Sequence, residues 1–129
     1  MFSATTTMST TMSNPSEAEI RAFITGQVAF WNAGERDSMT ALYERHAPSG
    51  LVIEYVGQPL GDGWATYNHM WDTYAGQVVV EVLEILVNGN EAACSIRNVR
   101  TATGLYNPSI ETYRFEDGML HIRYFHASH

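Results

Sequence analysis

The first residue in this chain that could do chemistry is a carboxylate inside a β-branched run. In Val52-Ile53-Glu54-Tyr55-Val56, which runs into the corner Gly57-Gln58-Pro59-Leu60-Gly61, alternation puts Val52, Glu54 and Val56 on one side and Ile53 and Tyr55 on the other. Neither side is polar. Glu54 therefore either reaches solvent at a strand end or is held in a dry place, where a carboxyl group becomes a candidate acid or base. Gln27 interrupts an otherwise apolar helical stripe, so its amide is either a structural hydrogen bonder or a donor aimed into a cavity. The remaining polar candidates point to less. His69, with Asp72 three residues later, reads as polarity on a helix surface, and His121, His126 and His129 are spread over too many faces for a metal set. No metal and no organic cofactor is expected. Arg97 and Arg100 read as solvated or interface cations, whereas Arg123, if inward, needs an anionic partner, either a glutamate or an acidic ligand.

The chain as a whole limits what these groups can serve. Its 129 residues suffice for one domain that buries roughly two-thirds of its unfolded surface. With 16% charged residues against 12% aromatic ones, much aromatic area must line something concave or be covered by another subunit. A net charge of -7 argues against nucleic acid, and the absence of lysine argues against a polybasic membrane-binding segment. The lone Cys94 excludes an internal disulfide framework. With no apolar run of membrane-spanning length and no basic, apolar leader, the expected location is cytoplasmic.

Local signals lay out the elements. Residues 1–14 are nearly all Ser, Thr and Met and read as a disordered tail, with Met8 and Met12 leaving open a later translation start. Residues 15–129 read as a single domain. Ser16 and Glu19 have the capping-box spacing, and the helix they open presents Ile20, Phe23, Ile24, Val28 and Trp31 before Gly34 stops it. A second helix, about Asp37 to Arg45, shows Met39, Leu42 and Tyr43, and the strand of Glu54 follows. A third, after Gly63, carries the aromatic stripe Trp64, Tyr67, Trp71 and Tyr74, which is core or binding wall. From Val78 onward the pattern is strands, with tight-turn signals at Asn88-Gly89 and Asp117-Gly118. Strands over Val78–Val87, Glu91–Thr103, Ser109–Glu116 and Met119–His126 make a four-strand antiparallel meander. The class is α+β, a curved sheet wrapped as a cone around N-terminal helices, with a pocket between sheet and helices.

The helix ending in Asn32-Ala33-Gly34, the Glu54 strand entering Gly57-Gln58-Pro59, the aromatic third helix and the terminal hairpin Arg114-Phe115-Glu116-Asp117-Gly118 resemble the NTF2-like, or SnoaL-like, superfamily. Within it they are most similar to the ketosteroid isomerases, from about Glu17 to the C-terminus. The resemblance implies that Glu54 stands where the isomerases have their proton-moving aspartate, and Glu111 where they have the protonated aspartate of the oxyanion hole. Gln27 replaces the oxyanion-hole tyrosine, Trp71 a second tyrosine that supports it, and Tyr43 matches a third. The terminal-strand aspartate of the polyketide cyclases and epoxide hydrolases is missing, and His126, or Arg123 one face over, stands in its place.

On that resemblance Glu54 and Glu111 face one cavity. If Glu111 points inward, Ser109, Tyr113 and Phe115 join it; on the last strand, either Met119, His121, Arg123 and Phe125 or Leu120, Ile122, Tyr124 and His126 line the pocket. The implied activity is that of a cofactor-independent acid/base enzyme, isomerase or cyclase, acting on a hydrophobic carbonyl-containing small molecule, by analogy in natural-product biosynthesis. Glu54 would be the base and Glu111 the protonated donor. Gln27, Trp31, Tyr43, Trp71, Tyr113, His121 and Arg123 would contact the substrate. Two alternatives stay open: epoxide opening by the same carboxylate pair, and a non-catalytic ligand-binding or dimerisation module. A homodimer is expected, because an outer sheet face with Ile110, Ile122 and Tyr124 would otherwise be exposed.

Overall fold

The computed structural model describes residues 14–127. The expected tail, apart from Asn14, and His129 lie outside them. Helix α1 (Glu17–Ala33) begins with the capping box: the Ser16 hydroxyl accepts from the Glu19 amide at 3.2 Å, and the Glu19 carboxylate accepts from the Ser16 amide at 2.7 Å. It stops at Gly34, whose φ of 72° is left-handed. Its stripe buries Ile20, Phe23, Ile24, Gln27 and Trp31. Each large apolar side chain of that set contributes roughly 1.5–3 kcal/mol by leaving water. Helix α2 (Arg36–His46) and helix α3 (Gly63–Tyr74) flank strand β1 (Gly50–Tyr55) in sequence.

Four more strands follow: β2 (Val78–Asn88), β3 (Glu91–Arg100), β4 (Tyr106–Glu116) and β5 (Met119–His126). Strand β3 ends three residues earlier than its β-rich composition suggests, because the Arg100 carbonyl accepts from Gly104 and closes a turn; β4 begins three residues before Ser109. The spatial order is β1-β5-β4-β3-β2, with β1 parallel to β5 and the other pairs antiparallel. The meander therefore becomes a five-strand mixed, curved sheet, open at both edges.

Two tight turns fix the register. Asn88 pairs with Glu91 across Gly89-Asn90, with positive φ at Gly89 alone, so the loop lies one residue past the expected Asn88-Gly89. Asp117 and Gly118 both take positive φ, at 53° and 77°, the geometry of a turn matched to strand twist. This second turn sets Tyr113 opposite Ile122 and Glu111 opposite Tyr124. Partners across a strand pair share a face, so the buried residues Ile122, Tyr124, Tyr113 and Phe115 lie on the inner side of the sheet. Ile122 and Tyr124 are thus not on the outer face, as expected of them; of that trio only Ile110 is exposed.

Helix α3 meets β1 closely. A Cβ at Gly63 would stand 1.8 Å from the Leu51 carbonyl oxygen. Gly63→Ala must push the helix off the strand and is expected to cost about 2–4 kcal/mol, read as a lower urea midpoint with an unchanged m-value.

Candidate active site

Between the sheet and the helices lies a cavity of about 290 Å³, close to the ~300 Å³ lower bound of small-molecule sites. Its wall is mostly apolar and aromatic, with Trp31 and Val28 from α1, Met70 and Tyr74 from α3, and Tyr55 and Tyr124 from the β1–β5 pair. Among its lining residues Glu111 is the one carboxylate. Alternation on β4 delivers it: Ser109, Tyr113 and Phe115 are buried while Ile110 and Arg114 are exposed, so the odd-numbered residues point inward.

A chain of hydrogen bonds holds Glu111 from behind. The Tyr43 hydroxyl donates to Gln27 Oε1, Gln27 Nε2 donates to the Tyr113 hydroxyl, and that hydroxyl donates to Glu111 Oε1. Every bond points the same way, toward the carboxylate. Among the described residues nothing donates to Oε2. Burial pushes the Glu111 carboxyl up to about 7, against a smaller downward pull from the Tyr113 hydrogen bond. Burial, and after it the Glu111 charge, holds the Tyr43 and Tyr113 hydroxyls well above the usual phenol range, so both stay protonated as donors.

Two further polar groups line the same wall. The Tyr55 hydroxyl makes no hydrogen bond among the described residues, and burial raises it to about 12. Its ring lies 5.1 Å from that of Tyr124 and stacks 6.1 Å from His126 at 18°. His126, opposite Ser109 on β5, is pushed below the usual imidazole value by burial and is neutral near pH 7.

Glu54 is elsewhere. It pairs in register with Arg123, and both point to the outer face of the sheet, since the neighbouring partners Ile53 and Ile122 fill the inner one. Arg123 Nε donates to Glu54 Oε1 at 3.1 Å, and His121 Nε2 lies 3.5 Å from the same oxygen. The Arg123 hydrogen bond is the main reason that the Glu54 carboxyl titrates below the usual carboxylate range. A one-residue change in alternation exchanges the two faces, so the expected Glu54–Glu111 pair is not brought together. His121 and Arg123 leave the cavity with Glu54: Arg114 donates to His121 Nδ1 at 3.3 Å, and Arg123 covers the Phe125 ring at 4.9 Å.

The other sequence-predicted positions divide by depth. Gln27 and Trp31 line the cavity; Tyr43 and Tyr113 stand behind the wall, hydrogen-bonded to Gln27 and Glu111 respectively. Trp71 is also behind it, packed 4.6 Å from Trp31, so it supports the wall without forming it. Of the two alternatives for the last strand, the face with Tyr124 and His126 lines the cavity; Tyr55, Asn98, Asn107 and Arg100 line it without a local signal for that role in the sequence, although each shares strand parity with a buried neighbour. Among the described residues no group of three or more His, Cys, Asp or Glu could hold a metal ion, and no helix is long and apolar enough to cross a membrane.

No family model and no curated protein matches the chain. Solved structures do. A protein from Kribbella flavida provisionally named a ketosteroid isomerase is 17% identical, with a TM-score of 0.69 over 87% of this chain and 80% of that one. A provisionally named SnoaL-like polyketide cyclase from Jannaschia sp. CCS1 is 14% identical, with a TM-score of 0.67 over 88% and 90%. An NTF2-like protein of unknown function from Cytophaga hutchinsonii is 12% identical, with a TM-score of 0.64 over 83% and 88%. The fold is the NTF2-like one, which the resemblance of the sequence implied. At these identities the likeness is one of architecture, and function rests on the site itself.

The raised Glu111 carboxyl has a consequence for stability. The folded chain holds this proton more tightly than the unfolded one, so its contribution is fully present below 4.5, the ordinary value, and is lost as pH rises through about 7. Glu111→Gln, which never ionises, is expected to be more stable than the parent by about 1–3 kcal/mol above pH ~8. Below about pH 4.5 the two should converge in urea unfolding.

Proposed function

We propose that this protein is an acid/base enzyme of isomerase or cyclase type that acts on a hydrophobic carbonyl compound, with Glu111 as the group that moves the proton. The observation that carries this reading is a single carboxyl on an apolar cavity wall, raised to near neutrality and backed by three directed hydrogen bonds. Ionised, Glu111 removes a proton next to the substrate carbonyl. The Tyr55 hydroxyl, unpartnered and protonated throughout the working pH range, donates to the oxygen as negative charge develops there. Protonated Glu111 then returns the proton to another carbon, completing isomerisation; in a cyclase, the enolate carbon instead adds to a second carbonyl of the same ligand, whose π electrons pass to its oxygen, and that oxygen takes the proton from Glu111. Both steps use protein groups alone, so no cofactor is required. The names carried by the fold's neighbours, isomerase and cyclase, agree with this class of chemistry. Glu54, on the outer face, has no part in this scheme as a base, and epoxide opening by a Glu54–Glu111 pair has no second carboxylate on the wall.

The test is turnover of a panel of β,γ-unsaturated ketones, followed by absorbance of the conjugated product. Glu111→Gln should lower kcat by about 10²–10⁴-fold, while Glu54→Gln leaves it unchanged. The kcat/KM profile should rise with pH to a plateau above about 7, because the base is active when ionised. Tyr113→Phe removes the bond that holds the Glu111 carboxyl down, so the midpoint should move upward. Ligand affinity without turnover in any variant would instead identify a binding module.

We also propose a homodimer built on the outer sheet face, where Leu86 and Ile110 are 63% and 43% exposed. Sedimentation should give twice the chain mass, and Ile110→Glu with Leu86→Glu should return the monomer.

A further inference from the structure

The cavity wall is chemically unequal along its length. Glu111 pairs with Cys94 across β3–β4, and on the inner side of β3 the chain continues through Ile96 and Asn98 to Arg100. Six residues of strand place the Arg100 backbone roughly 20 Å from that of Cys94. Arg100 is the one arginine among the lining residues, and Asn98 and Asn107 stand beside it. The Asn98 amide is fixed by donating to Ser109 Oγ at 2.9 Å and to the Asn107 carbonyl at 3.2 Å.

Arg21, Arg36, Arg97 and Arg123 each lie within 4.0 Å of a carboxylate. Arg45, Arg100 and Arg114 have no such partner among the described residues, and of these three Arg100 alone lines the cavity, its backbone clamped with the N–H donating to Leu105 and the carbonyl accepting from Gly104, each at 2.8 Å. Arg97, three residues earlier, faces outward onto Glu81 and the Tyr106 ring, so the neighbouring cation serves the surface while Arg100 serves the cavity.

We infer that the ligand of this cavity is an amphipathic acid whose carboxylate is held by Arg100, with its apolar body along Val78, Val80 and Trp31 and its reacting end at Glu111. This deepens the proposed function and rests on Glu111 marking the reacting end. A planar guanidinium with free donors matches a carboxylate in two-point geometry. The separation from Glu111 keeps the two negative charges far apart, so binding the acid does not hinder ionisation of the base.

The probes are decanoate and its uncharged methyl ester, titrated calorimetrically at pH 8 into the full chain. The parent protein should bind decanoate about tenfold more tightly than the ester, a preference that weakens with added salt. Arg100→Gln should remove the preference by weakening decanoate alone, and Arg100→Lys should restore part of it. Arg100 is exposed, so both variants should fold. Equal binding of acid and ester, no binding of either, or an unchanged preference in Arg100→Gln would overturn the inference. Glu111→Gln should keep the preference while losing turnover. A preference that tracks Arg100 in a protein without turnover would overturn the acid/base reading and leave acid recognition standing.

Discussion

The structure around the cavity depends on satisfying one carboxyl group in an apolar place. An ionised carboxylate buried without partners costs far more than a domain's net stability allows, so something must donate to it. Here the donor is Tyr113 from the same strand, which is itself satisfied by Gln27 of α1, which is satisfied in turn by Tyr43 of α2. Two consecutive helices and a strand far along the chain are thereby held together by one polar requirement. The aromatic packing repeats those links in apolar form: Phe23 stands 5.2 Å from Tyr43, 6.0 Å from Tyr113 and 5.4 Å from Phe115. Removal of any member of the chain leaves a buried polar group unpaired, which is why the network specifies the arrangement of helices against the sheet as well as the state of Glu111.

The second constraint is parity. In a sheet with one covered face, the choice of face for one residue settles it for the whole strand. Leu51 and Ile53 on β1 meet Leu120 and Ile122 on β5 in register, and all four are buried. Burying this set is worth more than burying Val52, Glu54 and Val56, whose face would carry a charge into the core. Glu54 goes outward and finds Arg123 and His121 there. The outer cluster is thus a consequence of the same alternation that puts Tyr55, Tyr124 and His126 around the cavity.

Much of this was legible in the sequence, and the failures have identifiable causes. Caps and periodicity located the helices, because Ser16, Glu19 and Gly34 act through local geometry. Turn residues marked the β4–β5 hairpin and alternation grouped Glu111 with Ser109, Tyr113 and Phe115, while the choice of the inward face came from the resemblance. The parallel pairing of β1 with β5 was not legible, since no local signal marks which edge receives a strand separated from the meander by a helix. Without that pairing, counting back from Gly57-Gln58-Pro59 could not tell the inner face from the outer. Trp71 illustrates a different limit: periodicity finds the buried stripe of α3, but Trp31 stands between it and the cavity. Arg100 was hidden because a charged residue near a strand end reads as solvated until the course of the sheet shows what lies beneath it.

Gln27, where a phenol would be expected from the sequence resemblance, changes the character of the network. A hydroxyl can reverse its donor and acceptor roles by rotating, whereas the amide has its carbonyl toward Tyr43 and its N–H toward Tyr113. With the amide so oriented, the Tyr113 hydroxyl proton points at Glu111 Oε1 in either state of the carboxyl. Oε1 is then occupied as an acceptor, so a proton taken up by Glu111 must reside on Oε2, the oxygen that no described residue engages. In the proposed reaction the oxygen that removes a proton from the ligand would therefore also carry it and give it back. An acid that receives and returns the proton at one atom suits transfer between neighbouring carbons of a single substrate better than relay to bulk water. On the proposed function the glutamine is what would let one carboxyl do the work that the sequence resemblance divides between two.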